Sequence, residues 1–319
     1  MMNQRGFTLI EIAIVLIIVT ILLGYTMAMV PIQQELKQYR QADAEMSKII
    51  NSLYAFAQVN GYLPCPANNN VGSSGFECRD TDGEDGDCET NDPTMGSCDL
   101  WFGFVPGKTL GISGNYSTIG LLLDPWGQPY RYQVTDSDDE DTDGDGDRDG
   151  DLVPDMVLPG GIRITTGSSL INDPLFPTVQ PPMNLALLSP DLVICNTDPS
   201  ALAGNDTVCS NASEAVFGAS ATTLACTSPN QQCAPVVILS TGKDRLGEVN
   251  ENIDGDNKYN SWVQLENLDN SVNDRVFIDS TFVDIRTNVA ATDLYYDDVI
   301  KWISPNILYS KMIEAGQLP

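Results

Sequence analysis

From Phe7 to Val30 the chain carries one charge, Glu11, in an otherwise uncharged and mostly apolar run. These twenty-four residues would make a helix of roughly 36 Å, enough to cross the hydrocarbon of a bilayer. The pattern then changes. Ile32, Leu36, Tyr39, Met46, Ile49, Ile50, Leu53 and Phe56 recur at helical spacing, with Gln, Lys, Arg and Asp between them. That rhythm predicts an amphipathic helix over 31–60 whose apolar stripe covers a sheet. Pro31 lies between the two halves and is expected to kink or locally melt the helix. Asn60-Gly61 offers a C-cap, and Pro64 forbids continuation.

Residues 61–120 are dominated by Gly, Asn, Asp and Cys without a clear period, and read as a braced connecting loop. In "DPWGQPYRYQV" (Asp124–Val134), Pro125 and Gly127 predict a turn and the alternating Tyr130, Tyr132 and Val134 a strand. Further strands are expected at Gly161–Thr165, Leu192–Cys195, Pro235–Ser240, Arg275–Ile285 and Tyr295–Ile303. Ser304 followed by Pro305 predicts the start of a short C-terminal helix. The fold class is α+β: a long N-terminal helix packed on an antiparallel sheet, with long disulfide-braced and acidic loops.

Charge and composition narrow the function. Of 319 residues 42% are hydrophobic, enough for a packed core, and the formal net charge is −28. Such acidity argues against nucleic acid and anionic lipid surfaces as partners, because both require a basic face. There is no histidine, so neither a Ser-His or Cys-His nucleophilic pair nor a histidine zinc site can form. Ser168, Ser169 and Ser189 have no such base, and the chain is not expected to be an enzyme. Trp101, Phe102 and Phe104 are expected to belong to the core. The eight cysteines, Cys65, Cys78, Cys88, Cys98, Cys195, Cys209, Cys226 and Cys233, form no CxxC pair and lie in loop-like segments. They read as disulfides of an exported domain. The simplest expectation is bridges within each half, Cys65–Cys98 with Cys78–Cys88 and Cys195–Cys209 with Cys226–Cys233. Short loops favour neighbours, but the count permits many connectivities and the sequence does not choose among them.

Glu11 is the anomaly. An acid deep in a bilayer costs roughly 2.5–3.5 kcal/mol and is by default functional. A secretory signal peptide, with Arg5 before the core and Thr26-Met27-Ala28 as cleavage site, would have a shorter apolar core. An ordinary membrane anchor leaves the acid unexplained. The stretch Gly6-Phe7-Thr8-Leu9-Ile10-Glu11 followed by an apolar run resembles the leader and stem of type IV pilins and type II secretion pseudopilins. The resemblance implies a leader at 1–6, cut by a prepilin peptidase between Gly6 and Phe7, with methylation of the new amine at Phe7. It implies a membrane or filament-core segment at 7–30, an amphipathic stem at 31–60 and a β-rich head at 61–319. Glu11 would then meet the terminal amine of a neighbouring subunit in a helical filament. An inner-membrane assembly platform and other pilin-like subunits are the implied partners. The implied location is the bacterial inner membrane with the head in the periplasm, then the pilus or pseudopilus at the cell surface or in the periplasm.

Two acidic segments suggest Ca²⁺. Asp141, Asp143 and Asp145, followed by Gly146 and Asp149, place alternate carboxylates along a loop that a glycine can turn sharply, as hard oxygen-seeking cations require. An overlapping register uses Asp145, Asp147, Asp149 and Asp155, and Asp151 lies within the same run. Neither has Glu at the twelfth position, where Leu152 and Met156 stand. The spacing resembles thrombospondin type 3 and EF-hand-like calcium loops. A second segment, Ser240–Trp262, resembles the calcium loop of major pseudopilins, which implies Asp244, Asp254 and Asp256 as ligands. "DPWG" resembles the same proteins. The acidic run Asp80–Glu89 has no clean register and reads as solvated loop. The expected function is a structural filament subunit with a calcium-stabilised head. The alternative is a minor or tip subunit acting as an adhesin or substrate-recognition module.

Overall fold

The computed structural model describes residues 9–69, 75–80, 88, 97–98, 101–135, 156–157, 190, 192–196, 231–243, 276–279, 283–285 and 294–318. Helix α1 runs unbroken over Leu9–Asn60, 52 residues, about 78 Å long at helical rise. The expected melting at Pro31 does not occur: helix continues through it. One proline removes one intrahelical hydrogen bond, and the turns on either side carry the helix across that single loss. Gly61 closes α1 with φ +81°, its N–H bonding to the Ala57 carbonyl at 2.8 Å. A left-handed residue there is what glycine permits at low cost.

The main sheet has four antiparallel strands in the order β11-β7-β4-β3: β3 Phe102–Phe104, β4 Arg131–Val134, β7 Val236–Ser240 and β11 Val299–Trp302. One face packs on the second half of α1. Ala42, Met46, Ile49, Leu53 and Ala57 are all fully buried, spaced as one seam of a helix. Most of that seam joins Tyr130, Tyr132, Val134, Val236 and Ile238 in one core. The C-terminal helix α2, Pro305–Glu314, completes that core with Leu308 and Met312. Its N-cap is Ser304, as expected, although the side chain makes no capping bond.

β7 is buried along its whole length because both its faces are covered. Val236 and Ile238 point to the stem core, whereas Val237 and Leu239 join Leu192, Ile194, Ala234, Phe277 and Ile300 in a second core. Period-two alternation on a doubly covered strand demands an unbroken apolar run, and "VVIL" supplies it. The second core is contributed largely by a three-stranded sheet, β6-β5-β8 (Gln231–Ala234, Leu192–Asn196, Val276–Asp279). There β5 pairs with β8 in parallel, whereas the sheet that packs on α1 is antiparallel at every pairing, as expected.

Other differences have local causes. β3 precedes the expected strand β4 in the sheet, and within the segment expected to be a braced loop the short β1 (Arg79–Asp80) and β2 (Ser97–Cys98) pair. The expected strand at Tyr295–Ile303 is two, β10 (Leu294–Tyr296) and β11, interrupted at Asp297-Asp298. The expected strand at Arg275–Ile285 divides into β8 and β9 (Val283–Ile285), since β8 pairs with β5 and β9 with β10. The expected strand at Gly161–Thr165 lies outside the described residues.

Candidate functional site

The leading turns of α1, Leu9 to Leu23, stand clear of the head. Leu9, Ile10, Ile12, Ile14, Val15, Leu16, Ile17, Ile18, Val19, Ile21, Leu22 and Leu23 are all exposed, Leu9 to 88%. Glu11 lies in the first turn among them. Gly6 and Phe7 lie outside the described residues. Among the described residues, whose side chains in this run end at Leu23, no helix is long and apolar enough to cross a membrane. The expected segment 7–30 extends beyond those side chains at both ends.

The second half is fastened by polar bonds that flank its apolar seam. Tyr130 donates its hydroxyl to Glu45 Oε2 at 2.9 Å. Burial raises the Tyr130 pKa far above the usual phenol range, and the hydrogen bond to Glu45 and the negative charges of Glu45 and Asp124 add to the effect. Lys301 of β11 reaches Asp43 Oδ1 at 2.8 Å and Ser47 Oγ at 2.7 Å. Gln38 donates to the Pro125 carbonyl at 3.3 Å, and Trp126 packs edge-on against Tyr39. At the far end Gln58 donates to the Lys311 carbonyl, and Gln317 donates to the carbonyls of Gln58 and Val59. The "DPWG" turn therefore has a definite task, seating the stem on the sheet.

That turn is organised by Asp124, which is buried. Its Oδ1 accepts from the Trp126 and Gln128 N–H groups at 2.9 and 2.8 Å, and its Oδ2 accepts from Ser240 Oγ at 2.7 Å. Burial raises its pKa, and these hydrogen bonds partly offset the rise.

The Asp residues proposed from sequence as calcium ligands, Asp141, Asp143, Asp145, Asp147, Asp149, Asp151, Asp155, Asp244, Asp254 and Asp256, lie outside the described residues. Among those described, no cluster of three or more His, Cys, Asp or Glu could hold a metal. The start of the second loop is described, and its surroundings are oxygen-rich. Asp297 accepts the Lys243 N–H at 2.7 Å, and both Asp297 and Asp298 are buried. Gly242 has φ +68°, and a Cβ there would meet Asp297 atoms at 2.6 Å. Sequence reasoning passed over Asp297 and Asp298. The available signal was a pair of acids inside the apolar run "LYYDDVIKW".

Two expected disulfides are present, Cys65–Cys98 and Cys78–Cys88. Cys233 is also disulfide-bonded; the expected pairings Cys195–Cys209 and Cys226–Cys233 each involve a residue outside the described set. Beside the first two bridges Arg79 is buried against Glu77 at 3.1 Å. It also donates to the Val157 carbonyl at 2.9 Å and stacks over Tyr62. Trp101 lies in the stem core, while Phe102 and Phe104 are half-buried and Phe104 carries the Arg131 guanidinium on its ring. These aromatics are structural.

A helix whose leading turns are bare and apolar and whose second half is clasped by a sheet defines a stem-and-head protein. Residues 1–27 match the family described as the prokaryotic N-terminal methylation motif, the signature of type IV pilins and pseudopilins. That signature supports a pilin-like or pseudopilin-like filament subunit, a structural role, and processing by a prepilin peptidase. No curated protein and no solved structure matches the chain.

Proposed function

We propose that this chain is a structural subunit of a type IV pilus or type II secretion pseudopilus, assembled through α1. The observation that carries the reading is the methylation motif at the head of one continuous helix whose leading side chains are apolar and exposed. Leaving that much apolar surface in water is unfavourable by about 25 cal/mol per Å². Lipid covers it before assembly, in an inner-membrane segment at 7–30 with the head in the periplasm. Neighbouring stems cover it afterwards. Prepilin peptidase cuts between Gly6 and Phe7 and methylates Phe7. The resulting cation lies about one helical turn from Glu11, and axial stacking lets Glu11 of one subunit meet the amine of the next. Ca²⁺ held by the 141–155 carboxylates, and by Asp244, Asp254 and Asp256, stabilises the head. A hard cation suits carboxylate ligands such as these.

The second sheet laid over the outer face of the first favours one variant of this reading, a minor or tip subunit whose enlarged head recognises a ligand.

Shearing surface filaments and weighing their subunits tests both. The expected chain begins at methylated Phe7 and repeats along the shaft; trace abundance identifies the minor subunit instead. Glu11→Ala should insert and be cleaved normally yet yield few filaments. A mature terminus at Met29, or wild-type filament yield from Glu11→Ala, would refute the assembly mechanism.

A further inference from the structure

The stem separates its charges by face. Residues 1–60 hold four cations and four acids, so the full −28 falls on residues 61–319, which contain 12 of the 16 cations and 40 of the 44 acids. In the second half of α1 the three acids turn toward their own head: Glu35 lies 3.5 Å from Lys243, Asp43 pairs with Lys301, and Glu45 accepts from Tyr130. The cations do the reverse. At about 100° per residue, Lys37, Arg40 and Lys48 fall within about 80° of one another, opposite the Met46–Leu53 seam, and span about 16 Å of helix. All three are exposed, and none makes an ion pair with another described residue. Between them stands exposed Ala44, so no side chain there shields the row.

We infer that this basic face is a docking surface for the acidic head of a second copy of the chain. Charge complementarity selects the occupant. Each copy carries one isolated cationic row and a head with more than three acids per cation. The densest acidic stretch, residues 136–155, has eleven acids against Arg148 alone, and remains anionic with a dication bound. The row cannot serve its own sheet, which lies on the other side of the helix. The inference rests on the filament reading for its setting, since stacked stems bring one copy's helix beside another's head. Exposed pairs are individually weak and screened by salt, which makes the contact one of register and selectivity.

Full-length protein in neutral detergent, where lipid-like cover removes the apolar contribution, should self-associate at about 0.05 M salt and dissociate near 1 M, where the screening length falls to about 3 Å. Lys37→Gln/Arg40→Gln/Lys48→Gln should weaken that association roughly five- to hundredfold. Ala44→Glu should weaken it too. This substitution keeps a good helix former and neutralises the row through pairs with Arg40 and Lys48 four residues away, so its loss cannot be blamed on misfolding. Lys37→Arg/Lys48→Arg should retain it. Association insensitive to salt or unchanged in both weakening variants overturns the inference. So does a defect confined to binding of phosphatidylglycerol vesicles, which would assign the face to lipid headgroups. If the triple variant builds filaments in wild-type register and yield, the docking face fails and the filament reading stands. If wild-type cells build none while the salt-sensitive pairing persists, the filament reading fails and the docking face stands.

Discussion

Single residues in this protein are legible through what their polar atoms must satisfy. Asp124 is the clearest instance. Its two oxygens hold the "DPWG" turn and tie it to Ser240, and burial raises its pKa. A raised carboxyl pKa means the folded state takes up a proton more readily than the unfolded one. The contribution of Asp124 is therefore most favourable below its unfolded pKa and declines as pH rises through the folded value. Asp124→Asn keeps one oxygen for both backbone donors and removes the buried charge. It should be neutral or stabilising near pH 7, with its advantage over wild type shrinking on acidification. Urea melts of the two proteins across the acidic range measure this; an advantage that grows toward low pH would contradict it.

At the scale of elements, the α1–sheet seam and α2 act as one unit. Leu308 and Met312 of α2 are fully buried against the same core as Leu53 and Ala57 of the stem. Leu308→Ala should cost about 2–5 kcal/mol, transfer energy plus the cavity left behind. Hydrogen exchange should show the lost protection spreading along α1 from Asn60 toward Ala42, while the exposed turns around Leu9–Leu23 change little. Exchange loosened only within α2 would mean that the two helices are not cooperative. The Ser304-Pro305 start signal exposed α2, and apolar pattern exposed α1, β4, β5 and β7. It missed β6, whose "QQCA" carries little apolar signal and whose place is set by pairing with β5.

For the molecule as a whole, the decisive quantity is where −28 charges go. Without a cation the carboxylates of 136–155 repel one another, and a divalent ion taking about 6–8 oxygens reverses the sign of that interaction. If Ca²⁺ binds only the folded head, a hundredfold excess over its dissociation constant adds about 2.7 kcal/mol. Chelation should lower the melting temperature and increase cleavage between Val134 and Met156, with Mg²⁺ a poor substitute. Asp143→Asn, Asp145→Asn and Asp149→Asn combined should reproduce chelation. Calorimetry and limited proteolysis, with and without calcium, decide it; identical traces would leave the segment a solvated acidic loop.

The sequence by itself determined the stem, its length and its amphipathic second half, because a helix records its surroundings in a local repeat. It likewise determined the methylation motif and the position of Glu11, while Cys65–Cys98 and Cys78–Cys88 were one choice among many pairings that the fold selected. Only the tertiary structure decided how the head is layered. A second sheet covers β7 from outside, β5 and β8 run parallel, and Asp297-Asp298 interrupts what reads as one strand. Each involves partners distant in the chain: β5 meets β8 across some eighty residues, and at the break between β10 and β11 the Asp297 carboxylate receives the N–H of Lys243. Charge separation on α1 follows the same rule. The row of Lys37, Arg40 and Lys48 can be written on a helical wheel, but which side of the wheel is outside is set by the sheet that packs against it.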